Sequence, residues 1–108
     1  MRVLVVWEPI LATDWRKPSG STLARIGDRR ARQFWDPKHL VAEELARIAK
    51  QKPDQPAPEC CVRKGFHWDE VVLYAPHARW GDVPTPVYWN GPVYRIAPAL
   101  EKALKQQP

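Results

Sequence analysis

Proline most limits what this chain can become. Twelve prolines are spread over 108 residues. Each fixes its own φ near about −65° and removes a backbone donor, so few long helices and several well-defined loops are expected. One stretch supports a longer helix. After Asp36 and Pro37, the residues Leu40, Val41, Leu45 and Ile48 line one face at helical spacing. Asp36 suits a cap, since its carboxylate can accept from free N–H groups, and Pro37 suits the first helical position. Glu43 and Glu44 come early while Arg47 and Lys50 come late, matching the helix dipole. Glu43 can pair with Arg47 four residues on. The spacing predicts a helix over 37–50, with His39 on its polar, solvated side.

Shorter elements surround it. The unbroken apolar run Val3–Trp7 is rich in valine and predicts a central strand buried on both faces. A short helix is expected over 19–26, weakened by Gly20, and Gly27-Asp28 marks a turn. Strands are predicted over 31–35 and 71–75. Residues 51–59 carry Pro53, Pro56 and Pro58 and read as a stiff polar connector. Near the end, 87–89 and 93–96 flank Asn90-Gly91, a hairpin signal that Pro92 complicates by lacking a donor. Pro98 then opens a last helix with Leu100 and Leu104 one turn apart. Alternation of strand and helix predicts a single α/β domain over 1–108, with a mixed sheet flanked by helices.

Composition narrows the function classes. No stretch approaches the ~18 apolar residues that a membrane span needs. Arg2 and the run after it are too short for a secretory signal, and no small-residue cleavage site follows. The expected compartment is the cytoplasm, or the periplasm or exterior where a leader has been removed. The net charge of +5 permits contact with nucleic acid or anionic surfaces. Arg25, Arg29, Arg30 and Arg32 form the densest basic stretch. A phosphate-facing patch and a solvated turn and strand edge both fit it, and the second is favoured because no nucleic-acid motif accompanies the arginines. No phosphate-cradling glycine loop, nucleophile elbow or nucleotide fingerprint is present, so no cofactor is expected. The expected partner is a protein or peptide, with oligomeric state left open.

The C-terminal third carries Pro84-Thr85-Pro86, then 87–89, Asn90-Gly91, 93–95 and the helix through Leu100 and Leu104. This order resembles thioredoxin-like proteins, in which a cis-proline precedes a strand and a hairpin and final helix follow. The resemblance implies that Pro84 or Pro86 is cis, and a cis bond is far less costly before proline than elsewhere. Trp15, Arg16, Lys17, Pro18 and Ser19 resemble the family's Trp-Cys-Gly-Pro-Cys loop, with Arg16 and Ser19 in the cysteine positions. Phe34-Trp35-Asp36-Pro37 and residues 68–80 resemble segments of bacterial thioredoxin-like proteins that lack the usual Cys-X-X-Cys. Dithiol exchange needs an attacking thiolate and a resolving thiol, and Arg and Ser supply neither. The resemblance therefore implies a non-catalytic domain binding a partner or peptide near residues 15–19 and the cis-proline.

Sulfur has not left the chain altogether. Cys60 and Cys61 are its two cysteines and are adjacent. Three readings stay open: two reduced thiols, a thiol–disulfide oxidoreductase or redox sensor working through the pair, or capture of a soft metal or metalloid. Arg63 and Lys64 would favour a thiolate and Glu59 would oppose it. His67 and Asp69 make a weaker zinc alternative with Cys60 and Cys61, at poor spacing. His77, Arg79, Trp80 and Asp82 follow a predicted strand and form either a pocket rim or an ordinary loop. Trp7 and Trp35 are expected in the core; Trp68 is either core or an exposed partner face.

Overall fold

The computed structural model describes residues 1–11, 16–51, 58, 60–63, 66–80 and 84–107. The chain opens with β1 (Val3–Trp7), α1 (Gly20–Leu23) and β2 (Ala31–Trp35). β1 and β2 pair in parallel, with Val3 opposite Ala31 and Trp7 opposite Trp35. A polar relay ties this unit together. Trp7 Nε1 donates to Gln33 Oε1 at 2.9 Å, and Gln33 Nε2 donates to the Leu23 carbonyl at 2.8 Å. Gln33 thus satisfies an indole N–H and the end of α1 with one amide. Ser19 caps α1, accepting from the Thr22 N–H.

The long helix, α2 (Leu40–Gln51), starts three residues later than 37–50 predicts. His39 takes a left-handed φ of 56° and its N–H bonds back to the Asp36 carbonyl, so 36–39 form a turn. Asp36 still caps, from further out: its two carboxylate oxygens accept from Leu40 N at 3.0 Å and Val41 N at 2.9 Å. Arg47 pairs with Glu44 rather than with Glu43. Two short antiparallel pairs follow. β3 (Val62–Arg63) pairs with β4 (Phe66–His67), and β5 (Val71–Leu73) pairs with β6 (Tyr88–Asn90). Residues 52–57 and 59 of the connector lie outside the described residues.

The expected hairpin between 87–89 and 93–96 does not form. β6 pairs instead with β5, setting Trp89 opposite Val72, and α3 (Val93–Lys105) begins at once. The reason lies in two patterns. Pro92 cannot donate to a ladder, and Ile96, Leu100, Ala103 and Leu104 recur at helical rather than alternate spacing. Pro92 is the extended N-cap of α3. Pro98 therefore lies inside α3, not at its start. It deprives the Tyr94 carbonyl of a helical donor, but both residues face solvent, Tyr94 at 72% exposure, where water serves as partner.

Among the described residues the three strand pairs remain separate, and β1 has β2 as its one ladder partner. The α/β character of the expectation is present: helices and small parallel and antiparallel sheets. The central placement of β1 is not. Leu4 is 62% exposed, so the apolar run is covered incompletely. The core lies elsewhere, where α2 packs on β4 and α3 on β6, and it holds Ala42, Ile48, Trp89 and Ile96. No described helix is long and apolar enough to cross a membrane.

Candidate functional site

Cys60 and Cys61 are joined by a disulfide between neighbours in sequence. The pair sits immediately before β3. Cys61 has a left-handed φ of 65°, and its carbonyl accepts from Trp68 N at 2.8 Å, just beyond the β3–β4 pair. An L side chain in that region is sterically disfavoured, so the surroundings must hold it there. Close packing with Gly91 contributes. A Cβ built on Gly91 would stand 3.2 Å from Cys61 Sγ, 3.1 Å from Glu70 Cγ and only 2.5 Å from the Asp69 carbonyl oxygen. Glycine is thus required sterically at 91. The same Asp69 carbonyl accepts the Val93 N–H at 3.1 Å, fastening the start of α3 to this point.

Behind the disulfide lies a buried polar triad. Glu70 follows the φ-positive Asp69 and precedes β5, so its side chain turns inward between β4 and β6. Its Oε1 bonds His67 Nδ1 at 2.8 Å and its Oε2 accepts from Trp89 Nε1 at 2.7 Å. The side chains of His67 and Glu70 are 7% and 4% exposed. Burial pushes the Glu70 carboxyl above the usual glutamate range, and the hydrogen bonds from His67 and Trp89 pull against that rise. The His67 ring lies 5.1 Å from that of Trp89, tilted.

A second pair stands nearby. His39 Nδ1 meets Glu8 Oε2 at 3.3 Å, and the His39 ring stacks on Phe66 at 3.9 Å. His39 is thus engaged, not on the solvated side of the helix, because the left-handed turn at 39 swings it from the helix toward β4. Desolvation raises Glu8 as well, its bond and attraction to His39 opposing, with Asp36 and Glu70 close enough to add to the rise. Glu8, Asp36 and Glu70 border a cavity of about 810 Å³ between the β1–β2 pair, the start of α2 and the β4–β5 segment.

The other anticipated residues fall differently. Trp15 and Asp82 lie outside the described residues. Arg16 and Lys17 are exposed, Pro18 is half-buried, and Ser19 is occupied as the α1 cap. The cis peptide bond among the described residues joins Gly91 and Pro92, not Thr85 and Pro86; the bond before Pro84 involves Val83, outside the described set. His77, on a turn, and Arg79, just beyond it, are exposed and do not border the cavity, whereas Trp80 does, edge-on to Tyr74 at 5.5 Å. Among the described residues no three His, Cys, Asp or Glu side chains are gathered to hold a metal ion. Of the residues named for the alternative zinc site, Cys60 and Cys61 have their sulfurs bonded to each other and His67 Nδ1 faces Glu70.

Sequence reasoning missed Glu8, Glu70, Trp89 and the role of Gly91. A signal existed for Glu70: a carboxylate abutting an apolar strand, three residues after a histidine, in a chain whose buried indoles need acceptors. No family model matches this chain, and no similar curated protein or solved structure is found.

Proposed function

We propose that this protein is a thiol–disulfide redox element, a sensor or oxidoreductase, whose working pair is Cys60 and Cys61. The observation that carries this reading is the disulfide between them. In the reducing half-cycle an external thiolate attacks one sulfur, forming a mixed disulfide and releasing the neighbouring thiolate. A second external thiol then closes the external disulfide and leaves the protein with two thiols. Two electrons and two protons enter the protein, and the donor pair is oxidised. Adjacency keeps the resolving sulfur beside the mixed disulfide without any domain motion.

Packing supports a sensing role. Cys61 Sγ abuts Gly91, and Gly91 abuts the Asp69 carbonyl that anchors α3. Opening the disulfide frees two side chains at this junction, so the redox state bears on how β6 passes into α3. The order of a parallel pair, α2, two antiparallel pairs and a last helix keeps the mixture of strand and helix on which the thioredoxin-like reading rests. In this reading the chemistry sits at 60–61, while Ser19, in the position of a thioredoxin cysteine, caps a helix. Partner or peptide binding at 15–19 is not needed by it.

The test is a redox titration. The protein is equilibrated in glutathione buffers of stepped ratio, quenched with acid and alkylated, and its thiols are counted by mass spectrometry. One reversible two-electron transition within a monomer is expected. Thiols that stay reduced across the series, or that form only dimers between chains, would refute the proposal.

A further inference from the structure

The cavity beside the triad has a chemistry of its own, independent of the cysteines. Leu4 and Val6 share one face of β1, as alternate strand residues must, Glu8 follows just past the strand's end, and Phe34 of β2 and Leu40 of α2 join them around the cavity. These apolar side chains are far from covered: Leu4 is 62% and Leu40 63% exposed. Contiguous exposed apolar surface of this kind marks a binding site more often than ordinary surface. The volume, about 810 Å³, lies in the range of small-molecule pockets.

Two further features select the ligand. The aromatic rings of Trp35, Trp68, Tyr74 and Trp80 border the cavity, and such faces attract cations. The charge is also inverted. The chain as a whole carries +5, yet Glu8, Asp36, Glu44, Asp69 and Glu70 line this cavity against Arg2, the one Lys or Arg among its described lining residues. Glu44 is paired with Arg47 outside the lining, and Glu8 and Glu70 are each bonded to a histidine, so Asp36 and Asp69 add to a carboxylate excess that the histidines temper. Low-dielectric walls lined by one sign of charge concentrate the field inside a cleft. An anion would be repelled and a neutral apolar molecule would leave the field unused.

The geometry points to a binding site for a small organic cation, an ammonium on an aryl or alkyl body, with the body against Leu4, Phe34 and Leu40 and the charge toward Glu8 and the indole faces. A bound cation would also favour the charged form of the two desolvated carboxylates, Glu8 and Glu70.

The experiment titrates ¹⁵N-labelled protein with phenethylammonium, following the six indole N–H resonances, with phenylacetate as the matched anion. Saturable shifts of the Trp35, Trp68 and Trp80 indoles are expected with the ammonium alone. Arg2→Gln, at an exposed position, should tighten binding and Glu8→Gln should weaken it, each by about tenfold. Because Arg2→Gln removes no buried contact, it keeps the test sharp even where Glu8→Gln fails to fold. Equal or better binding of phenylacetate, absence of saturation, or a cavity occluded by a second copy in sedimentation would overturn the inference. Cys60→Ser with Cys61→Ser should leave ammonium binding unchanged, which separates this result from that of the redox proposal.

Discussion

Truncation of Glu70 distinguishes a structural carboxylate from an incidental one. Glu70→Ala removes the acceptor of the Trp89 indole, a residue 4% exposed, and the partner of the nearly buried His67 ring. Each buried polar group left unsatisfied costs about 1–3 kcal/mol, giving about 2–6 kcal/mol for the two. Relief of a desolvated carboxylate offsets part of this, as the raised Glu70 pKa requires. The net expectation is a loss of about 3 kcal/mol, a large share of the 5–15 kcal/mol typical of a domain. Glu70→Gln behaves differently. Its amide oxygen can accept from the indole while its NH₂ donates to His67 Nδ1 in the tautomer that carries its proton on Nε2, so the loss should stay below about 1 kcal/mol. Urea denaturation reads both. With a slope of about 1–1.5 kcal/mol/M, the alanine variant moves the midpoint by about 2–3 M and the glutamine variant by under about 1 M. Equal midpoints for the two variants, or an alanine variant as stable as the parent, would refute the assignment of the triad.

The other consequences are simpler. Gly91→Ala places a Cβ 2.5 Å from the Asp69 carbonyl oxygen, so backbone must move; a loss of about 1–3 kcal/mol in the same urea assay is expected, and an unchanged midpoint would contradict the packing at that junction. Asp36→Ala leaves two N–H groups of α2 without their cap and should cost about 1–2 kcal/mol, read as a fall in thermal midpoint of several degrees, whereas Asp36→Asn should retain part of it. Glu8 and Glu70 both have folded-state pKa values raised above 4.5. Their favourable contribution is therefore complete below about pH 4.5 and is lost as pH rises through the folded values, the reverse of a salt-bridged carboxylate. Thermal midpoints from pH 4 upward should fall less steeply for Glu8→Gln with Glu70→Gln than for the parent. Identical slopes would remove desolvation as the dominant cause.

What the sequence made legible was local. The α2 helix was readable because its apolar spacing, charge order and Asp36 all agree, and agreement across levels specifies structure. Its start was misplaced by the left-handed turn at His39, a conformation rare for any residue but glycine and carried by no pattern in the sequence. The end of the chain was misread because Asn90-Gly91 is a strong hairpin signal on its own, while the decisive facts were the missing donor of Pro92 and the helical spacing after it. Strand partners were harder still. β6 pairs with β5 across more than ten intervening residues, and such pairing depends on tertiary packing. The cysteines of the candidate site were visible, but the carboxylate pairs were not, since Glu8–His39 and Glu70–Trp89 are separated by 31 and 19 positions.

The direct test of the central proposal is the covalent state of Cys60 and Cys61 in protein purified without reductant. Intact mass spectrometry after alkylation under denaturing conditions should give a chain lighter by two hydrogens than the dithiol form and bearing no adduct. Brief treatment with dithiothreitol before alkylation should then give two adducts on the same chain. Two adducts without any reductant, persisting after exposure to oxidised glutathione, would mean that these sulfurs do not bond to each other.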